Sequence, residues 1–229
     1  MKIVKWTAAV CQLLSLTLPA FAADPPIGSR LGQRLEVAPK MSDDTAAVRT
    51  YYFIRCVVAK RRENADLWLR TLDPALAKKA LPNVMRMTRC NTYESNYESS
   101  ETQQFKIPNE ILRGLVAEHL LSKTEAGKLP ALTLQRIYAR PWFVATGRDV
   151  VIDEMATCVA ETAPGGILAV LATEPMSVDE TAAIRAVSPS LGLCLRANAT
   201  LKGNRPSMRA ALAEALYQRA IAPTSEGAK

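Results

Sequence analysis

The spacing of four cysteines constrains the fold of this chain more than any other feature of the sequence. Cys56 and Cys90 are separated by nearly the same number of residues as Cys158 and Cys194. An apolar run follows the first cysteine of each pair, and an apolar segment that carries arginine and glutamate follows the second. Because the same features recur in the same order, the sequence predicts an internal duplication.

Residues 1–22 have the three parts of a secretory signal peptide. Lysines stand near the start, an apolar run extends from Trp6 to Leu18, and Ala20-Phe21-Ala22 closes the segment. This order is typical of a cleavable leader. The apolar run is short for a membrane span, which needs about 20 residues. We therefore expect cleavage after Ala22, a periplasmic or secreted protein, and no transmembrane span once the leader is removed.

Four cysteines remain behind the leader, and an even number in an exported chain predicts disulfides. Four cysteines allow three connectivities. A unit that was duplicated is expected to close its own bridge, which favours Cys56–Cys90 and Cys158–Cys194. A zinc site is the competing interpretation, but the cysteines are far apart and His119 is the single histidine. We therefore expect no metal and no cofactor.

Helical periodicity runs through both copies, and no stretch alternates as a strand with hairpin turns would. A long helix is predicted from Ser42 to about Arg61 in the first copy. Its counterpart is predicted to begin near Thr146 and to run to about Glu161. A short apolar helix follows each of them, so the copies match element by element.

Capping signals then predict a third helix in each copy. Asp73 precedes a proline suited to the first helical position, and Ser177-x-x-Glu180 forms a capping box. Pro82 and Pro189 are expected to break or end these two helices. A final apolar helix follows the second cysteine of each copy.

These signals predict an all-α fold: two tandem pseudo-repeats of three to four helices, each stapled by one disulfide, packed as one compact unit. The predicted segments are a signal peptide (1–22), an irregular lead-in (23–41), helical repeat 1 (42–122), a linker with a short helix over Thr133–Ala139 (123–145), helical repeat 2 (146–222) and a tail (223–229).

Two arginine–glutamate pairs recur in the final helices. Arg113 and Glu118 of the first copy return as Arg209 and Glu214 of the second. Residues five positions apart do not face each other along one helix. We favour a structural role, in which each charge anchors a loop or the end of a neighbouring helix. The alternative is a pair of equivalent sites that grip a ligand.

Features of the first copy that the second lacks are the candidates for a binding surface. A basic run ends the first helix, aromatic residues cluster near it, and a polar segment, 91–105, follows the second cysteine. The default interpretation is a solvated helix end with aromatic residues in the core, and the alternative is an exposed surface for a partner. The candidate residues are Lys60, Arg61, Arg62, Trp68, Tyr93, Tyr97 and His119.

Catalytic residue sets are not evident. His119 corresponds to Ala215 in the second copy, so we interpret it as a packed or partly exposed helical residue. No Gly-x-Ser-x-Gly elbow is present. Asp149, Asp153 and Glu154 are expected on the solvent side of their helix.

The favoured function is therefore an exported, non-enzymatic protein-binding or structural module with an unidentified protein partner. A formal net charge of +7 before the leader is removed is mild and scattered. It does not argue for nucleic-acid binding, but it allows weak contact with anionic surfaces. The alternative is a peripheral binder of anionic lipid or polyanion, and a small hydrolase is less favoured.

Overall fold

The computed structural model describes residues 43–85, 90, 107–135, 137–196, 199 and 204–222. These residues form nine α-helices and one 3₁₀ turn, without a strand, so the all-α prediction is confirmed for this part of the chain. The predicted signal peptide, lead-in and tail lie outside the described residues. So do Ser42 and the polar segment 91–105, with Tyr93 and Tyr97.

The described part of the first half contains four helices, α1 (Asp43–Lys60), α2 (Arg62–Arg70), α3 (Pro74–Met85) and α4 (Asn109–Leu121). A 3₁₀ turn (Ala126–Lys128) and the four-residue α5 (Phe143–Thr146) follow. The second half contains α6 (Val150–Thr162), α7 (Pro164–Leu171), α8 (Val178–Cys194) and α9 (Arg205–Ile221).

The predicted caps begin α3 and α8. The Asp73 carboxylate accepts hydrogen bonds from the backbone N–H groups of Ala75 and Leu76, at 2.8 and 2.9 Å. The Ser177 hydroxyl accepts from the N–H of Glu180 at 3.0 Å. The Glu180 carboxylate returns to the N–H of Met176 at 2.8 Å. These bonds satisfy donors that every helix start leaves unpaired.

The second long helix begins later than predicted. Asp149 caps α6, because its carboxylate accepts from the N–H of Val151 at 2.9 Å. Gly147 has a left-handed backbone with φ of 74°, which ends the short α5 after Thr146. The predicted start near Thr146 therefore coincides with the end of α5, and the left-handed turn separates it from the start of α6.

The expectation that two prolines end their helices is wrong. Pro189 lies inside α8 and Pro82 inside α3. In α8, Val187 and Leu191 stand on either side of the proline, and both are buried in the core. A proline inside a helix costs about 3 kcal/mol. Burial of the flanking apolar residues offsets that cost, so the helix continues.

The helix predicted over Thr133–Ala139 is also wrong for the described residues of that segment, which are not helical. The N–H of Leu132 donates to the carbonyl of Glu161 at 2.7 Å, and the N–H of Gln135 donates to the Tyr138 hydroxyl at 2.6 Å. These partners satisfy backbone groups that a helix would otherwise pair.

Both predicted disulfides are present. Cys56 of α1 is bonded to Cys90, with 5.7 Å between their Cα atoms. Cys158 of α6 is bonded to Cys194, the last residue of α8, with 5.6 Å between Cα atoms. The first bridge therefore ties α1 to the segment that follows α3, and the second ties α6 to the end of α8.

The central contact of the fold is the crossing of α4 and α9. Helix α4 also packs on α1 and α2, and α9 packs on α6 and α7. At the crossing, a Cβ atom built on Gly114 would lie 2.3 Å from the backbone and Cβ of Ala210. Only glycine permits such an approach, and the close crossing brings the side chains of the two helices into direct contact.

Candidate functional site

Two buried ion pairs join α4 to α9. The Arg113 guanidinium lies 2.7 Å from a carboxylate oxygen of Glu214. The Arg209 guanidinium binds both carboxylate oxygens of Glu118, at 2.7 and 2.9 Å. All four side chains are buried. Each helix therefore supplies one arginine to the other helix and accepts one from it, and neither pair forms within a single helix.

Both arginines also bind the end of a short helix in their own half. Arg113 donates to the carbonyl of Leu69 in α2 at 2.8 Å. Arg209 donates to the carbonyls of Val170 and Leu171 in α7, at 3.2 and 3.1 Å. The last carbonyls of a helix lack partners within it. These contacts agree with the structural interpretation of the two arginines as anchors.

Further charges surround each ion pair. Glu180 of α8 accepts a second bond from Arg209 at 2.9 Å. Burial lowers the pKa of Arg209, but its bonds with Glu118 and Glu180 outweigh burial and leave that pKa raised. Burial raises the pKa of Glu118, and the bonds from Arg209 oppose the rise. The guanidinium is thus held charged between two carboxylates.

Asp153 and Glu154 are not on the solvent side of α6, as the sequence predicted, but buried. The Asp153 carboxylate accepts from the Arg148 guanidinium at 3.0 Å and from the Thr146 hydroxyl at 2.6 Å. Burial raises the pKa of Asp153, while Arg148 lowers it. A buried carboxylate is tolerated where a cation pairs with it, and Arg148 supplies that cation.

Sequence reasoning missed Arg148. Its guanidinium also lies 2.8 Å from the free oxygen of Glu214 and donates to the carbonyl of Glu110 at 2.6 Å. The side chain is only 3% exposed. No local signal marks it, because its partner Glu214 is distant in the chain and belongs to α9.

An open cleft of about 740 Å³ lies beside the Arg209–Glu118 pair, between α1, α4, the turn that follows α4, and α7. Glu118 and His119 of α4 and Tyr51 of α1 line it. Its apolar lining includes Val58, Leu121, Leu168 and Leu171, and its basic lining consists of Arg55, Arg62 and Lys123.

His119 is held neutral in this cleft. Its Nε2 atom lies 3.3 Å from the carbonyl oxygen of Tyr51, and its ring centre lies 4.7 Å from the Tyr51 ring. Burial lowers the pKa of His119 to about 4, and the positive charges of Arg55 and Arg209 add to this effect. The imidazole therefore carries no charge at neutral pH.

Tyr51 remains protonated. Burial, together with the negative charge of Glu118, raises its pKa to about 12. The Tyr51 hydroxyl and the Glu118 carboxylate are close enough to influence each other's pKa. The polar groups at this side of the cleft thus form one connected set, in which Glu118 is the acceptor.

The predicted basic run is divided among different environments. Lys60 is exposed at the end of α1, and Arg61 is partly exposed between α1 and α2. Arg62 donates to the carbonyl of Leu120 at 2.8 Å and so satisfies the C-terminal end of α4. The cleft is lined by Arg62 and His119 from the predicted set, but not by Lys60 or Arg61.

Trp68 does not contribute to an exposed patch. Its side chain is 1% exposed, in the core. The indole N–H donates to the carbonyl of Ala77 at 3.0 Å, which ties α2 to α3. The Arg113 guanidinium lies 5.5 Å from the centre of the Trp68 ring. The structure therefore places Trp68 with the ion-pair cluster rather than on a surface.

An apolar surface is present at a place the sequence did not indicate, the corner between α2 and α3. We call it the leucine corner: Leu67, Leu72 and Leu76 are 69%, 39% and 58% exposed. The corresponding positions of the second half are found by adding the interval from Cys56 to Cys158. They are Ala169, Glu174 and Val178, at the corner between α7 and α8.

No protein-family model, curated protein or solved structure matches this chain. Within the described ranges, no group of three or more His, Cys, Asp and Glu residues is placed to hold a metal ion. None of the helices that the structure describes is both long and apolar enough to cross a bilayer.

Proposed function

We propose that this chain is an exported, non-enzymatic helical protein that binds another protein of its compartment through the leucine corner. Three large apolar side chains exposed within ten residues are the observation that carries the proposal. Full burial of a leucine side chain contributes roughly 1.5–3 kcal/mol. Covering this corner therefore supplies several kcal/mol to an association, before its entropic cost is subtracted.

The surroundings of the leucine corner fit an interface. The Asp66–Arg70 ion pair of α2 is partly exposed, and Lys79 is exposed on α3. An apolar centre with a charged rim is the usual anatomy of a protein–protein contact. The corner between α7 and α8 has an exposed glutamate, Glu174, in place of Leu72, so it offers a less apolar surface.

Export is supported by two independent features. The Cys56–Cys90 and Cys158–Cys194 bonds are of the kind that persists in oxidising compartments. Residues 1–22 have the order of charges and apolar residues typical of a secretory leader. Together they favour the periplasm or the cell exterior as the place of action.

A non-enzymatic role is supported by the state of the polar groups in the cleft. Both oxygens of Glu118 accept bonds from Arg209, so the carboxylate is held in an ion pair. His119 is neutral and bonded to the Tyr51 carbonyl. The hydroxyls of Ser122 and Thr124, which also line the cleft, donate to the backbone carbonyls of His119 and Leu121 at 3.1 and 2.9 Å. They are therefore not paired with the imidazole as a nucleophile is with its base.

We also infer that the two halves are tandem copies of one helical unit. Arg113 contacts Glu214 while Arg209 contacts Glu118, which is the reciprocal pattern expected across a two-fold axis. Gly114 and Ala210, each one residue after its arginine, meet at the crossing of α4 and α9. An experimental structure tests this inference. The four helix pairs should superpose by a single rotation about that crossing, and different rotations for different pairs would contradict it.

Site-specific photocrosslinking tests the binding proposal. A photoreactive aromatic amino acid in place of Leu76 should give one discrete heavier adduct in cells. The same amino acid in place of Val178, which is 85% exposed at the other corner, is the matched control and should give none. An adduct of twice the chain's own mass would identify a second copy as the partner. Identical adducts from both positions, or none from Leu76, would contradict the proposal.

The second candidate, binding to anionic lipid, is favoured by the exposure of Lys60 and the partial exposure of Arg61 at the end of α1. It predicts co-sedimentation with phosphatidylglycerol vesicles that is lost as salt is raised. Replacing both residues by glutamate should abolish that binding. No sedimentation of the unchanged protein at low salt would remove this candidate.

A further inference from the structure

We propose that the cleft between α1, α4 and α7 binds a single-chain anionic amphiphile, which is an apolar chain that ends in one carboxylate or phosphate. The cleft is separate from the leucine corner, and none of the three corner leucines lines it. The proposal therefore goes beyond protein binding and does not depend on it.

The size and the lining of the cleft suit a small apolar body. Its volume of about 740 Å³ falls in the range of roughly 300–1,000 Å³ typical of small-molecule sites. Its apolar lining comes mainly from Leu168 and Leu171 of α7, which are partly exposed, with Val58 of α1 and Leu121 of α4 more deeply buried behind them. An acyl chain against these walls would remove apolar surface from water, which is the main favourable contribution to binding.

The charges that line the cleft select an anion. Arg55, Arg62 and Lys123 contribute three positive charges. Glu118 is the acid among the lining residues, and the two bonds from Arg209 oppose its single negative charge. His119 is neutral. The lining is therefore positive overall, and a low-dielectric wall beside it strengthens attraction to an anionic headgroup.

Arg55 is well placed to meet a headgroup. It is exposed, and its guanidinium lies 4.7 Å from the centre of the Tyr52 ring, so the aromatic face restricts its position. Lys123 is exposed on the turn after α4. A headgroup that lies between these side chains would remain hydrated while the chain contacts the apolar walls.

The other end of the α4–α9 pair offers a contrast. There, Glu214 is covered by the buried side chain of Arg148, which also pairs with Asp153. Glu118 is also buried, but the guanidinium that pairs with both of its oxygens is that of Arg209. Its neighbours Tyr51 and His119 line the cleft, so the space open to a ligand lies against these two side chains, beside the ion pair.

The single histidine gives a direct assay, because its imidazole resonances report on the cleft. Sodium decanoate and decyl phosphate, titrated below their micelle concentrations, should each cause a saturable shift of the His119 signals. Decanol, which has the same chain and no charge, should bind more weakly. Decyltrimethylammonium should cause no saturable shift, since its head is repelled by the basic lining.

A charge-reversal pair tests the location. Arg55→Glu combined with Lys123→Glu should weaken decanoate binding by at least about tenfold, because two attractions become repulsions. Lys78→Glu combined with Arg185→Glu makes the same change in net charge at exposed positions that do not line the cleft. This matched control should bind within about twofold of the unchanged protein, and both variants should keep its thermal midpoint.

Equal weakening in the two double variants would assign the effect to net charge and overturn the proposal. So would a His119 shift caused equally by the cationic probe, or no shift with either anion. A shift with an acidic peptide but not with decanoate would also overturn it, in favour of a protein segment as the occupant. The cleft variants should leave crosslinking at Leu76 unchanged, so failure here is distinguishable from failure of the proposed function.

Discussion

Arg209 shows how a charged residue is accommodated in an otherwise apolar helix. Its guanidinium contacts two buried carboxylates, Glu118 and Glu180, and the carbonyls at the end of α7. Arg113 has a single carboxylate partner, Glu214, and that carboxylate is also bonded by Arg148. The two arginines therefore occupy similar positions but support different numbers of buried charges.

Arg209→Met should lower the free energy of unfolding by about 3–5 kcal/mol, because it leaves Glu118 buried without its cation and Glu180 with only Arg205, at 3.9 Å. Arg113→Met should cost less, since Arg148 still neutralises Glu214. Urea denaturation of the two variants measures the difference. A loss below about 1 kcal/mol for Arg209→Met, or a larger loss for Arg113→Met, would contradict this assignment.

His119 should make stability depend on pH. Its pKa is lowered from 6.5 to about 4 by burial, so the unfolded chain binds a proton more readily than the folded protein between these values. The contribution is fully present above pH 6.5 and is lost as the pH falls towards 4. Its size is about 3 kcal/mol, from the shift and the 1.36 kcal/mol that each pKa unit represents.

Nuclear magnetic resonance titration of the single histidine measures this pKa directly. Unfolding free energies at several pH values, compared between the unchanged protein and His119→Gln, isolate its contribution from those of Glu118 and Asp153. The difference between the two proteins should shrink as the pH falls from 7 to 4. A titration midpoint near 6.5, or parallel pH profiles, would show that the imidazole is not desolvated.

At the scale of the elements, local sequence signals located helix starts better than helix ends. Asp73 and Ser177 cap the helices that they were predicted to begin. Capping is a contact between close neighbours in the chain, so it is visible in the sequence. Pro82 and Pro189 failed as end signals, because apolar residues beyond them are buried against distant helices. That burial has no local marker.

The crossing of α4 and α9 depends on the absence of a side chain at Gly114. Gly114→Ala should destabilise the protein by about 1–3 kcal/mol, because its Cβ would overlap the backbone of Ala210 and force the helices apart. Gly192→Ala, in the interior of α8, is the matched control, since a Cβ there meets no atom within 4 Å. This control should be neutral or up to about 1 kcal/mol more stable.

Thermal denaturation of both glycine variants tests the close approach. Equal midpoints would mean that α4 and α9 are further apart than described. Separation of the helices would also loosen the Arg113–Glu214 and Arg209–Glu118 contacts. Gly114→Ala should therefore lower the thermal midpoint more than a glycine-to-alanine substitution on the surface of any described helix.

At the scale of the molecule, the two disulfides act on the unfolded chain. They close loops of similar length, with separations of 34 and 36 residues. On the chain-entropy model, each should stabilise the fold by roughly 3–4 kcal/mol. Replacing Cys56 and Cys90 by alanine, or Cys158 and Cys194, should therefore cause comparable losses.

Denaturation of the two double-alanine variants under oxidising conditions measures these losses, and the reduced unchanged protein provides the reference. A loss confined to one bridge would show that the other half is already constrained by packing. The Cys158 side chain is fully buried and Cys56 is partly exposed. If the two losses of stability differ, the larger loss should therefore occur in the variant that lacks Cys158 and Cys194.

The sequence by itself determined the helical class, the starts of two helices and the pairing of the cysteines, since periodicity, capping and duplicated spacing are all local or repeated patterns. Only the tertiary structure decided that Asp153 is buried, that Trp68 belongs to the core, and that leucines are exposed at the α2–α3 corner. Arg148 and Ala77, which bond Asp153 and Trp68, are close to them in the chain. Burial nevertheless depends on how whole helices pack against one another, and that packing exists only after the chain has folded.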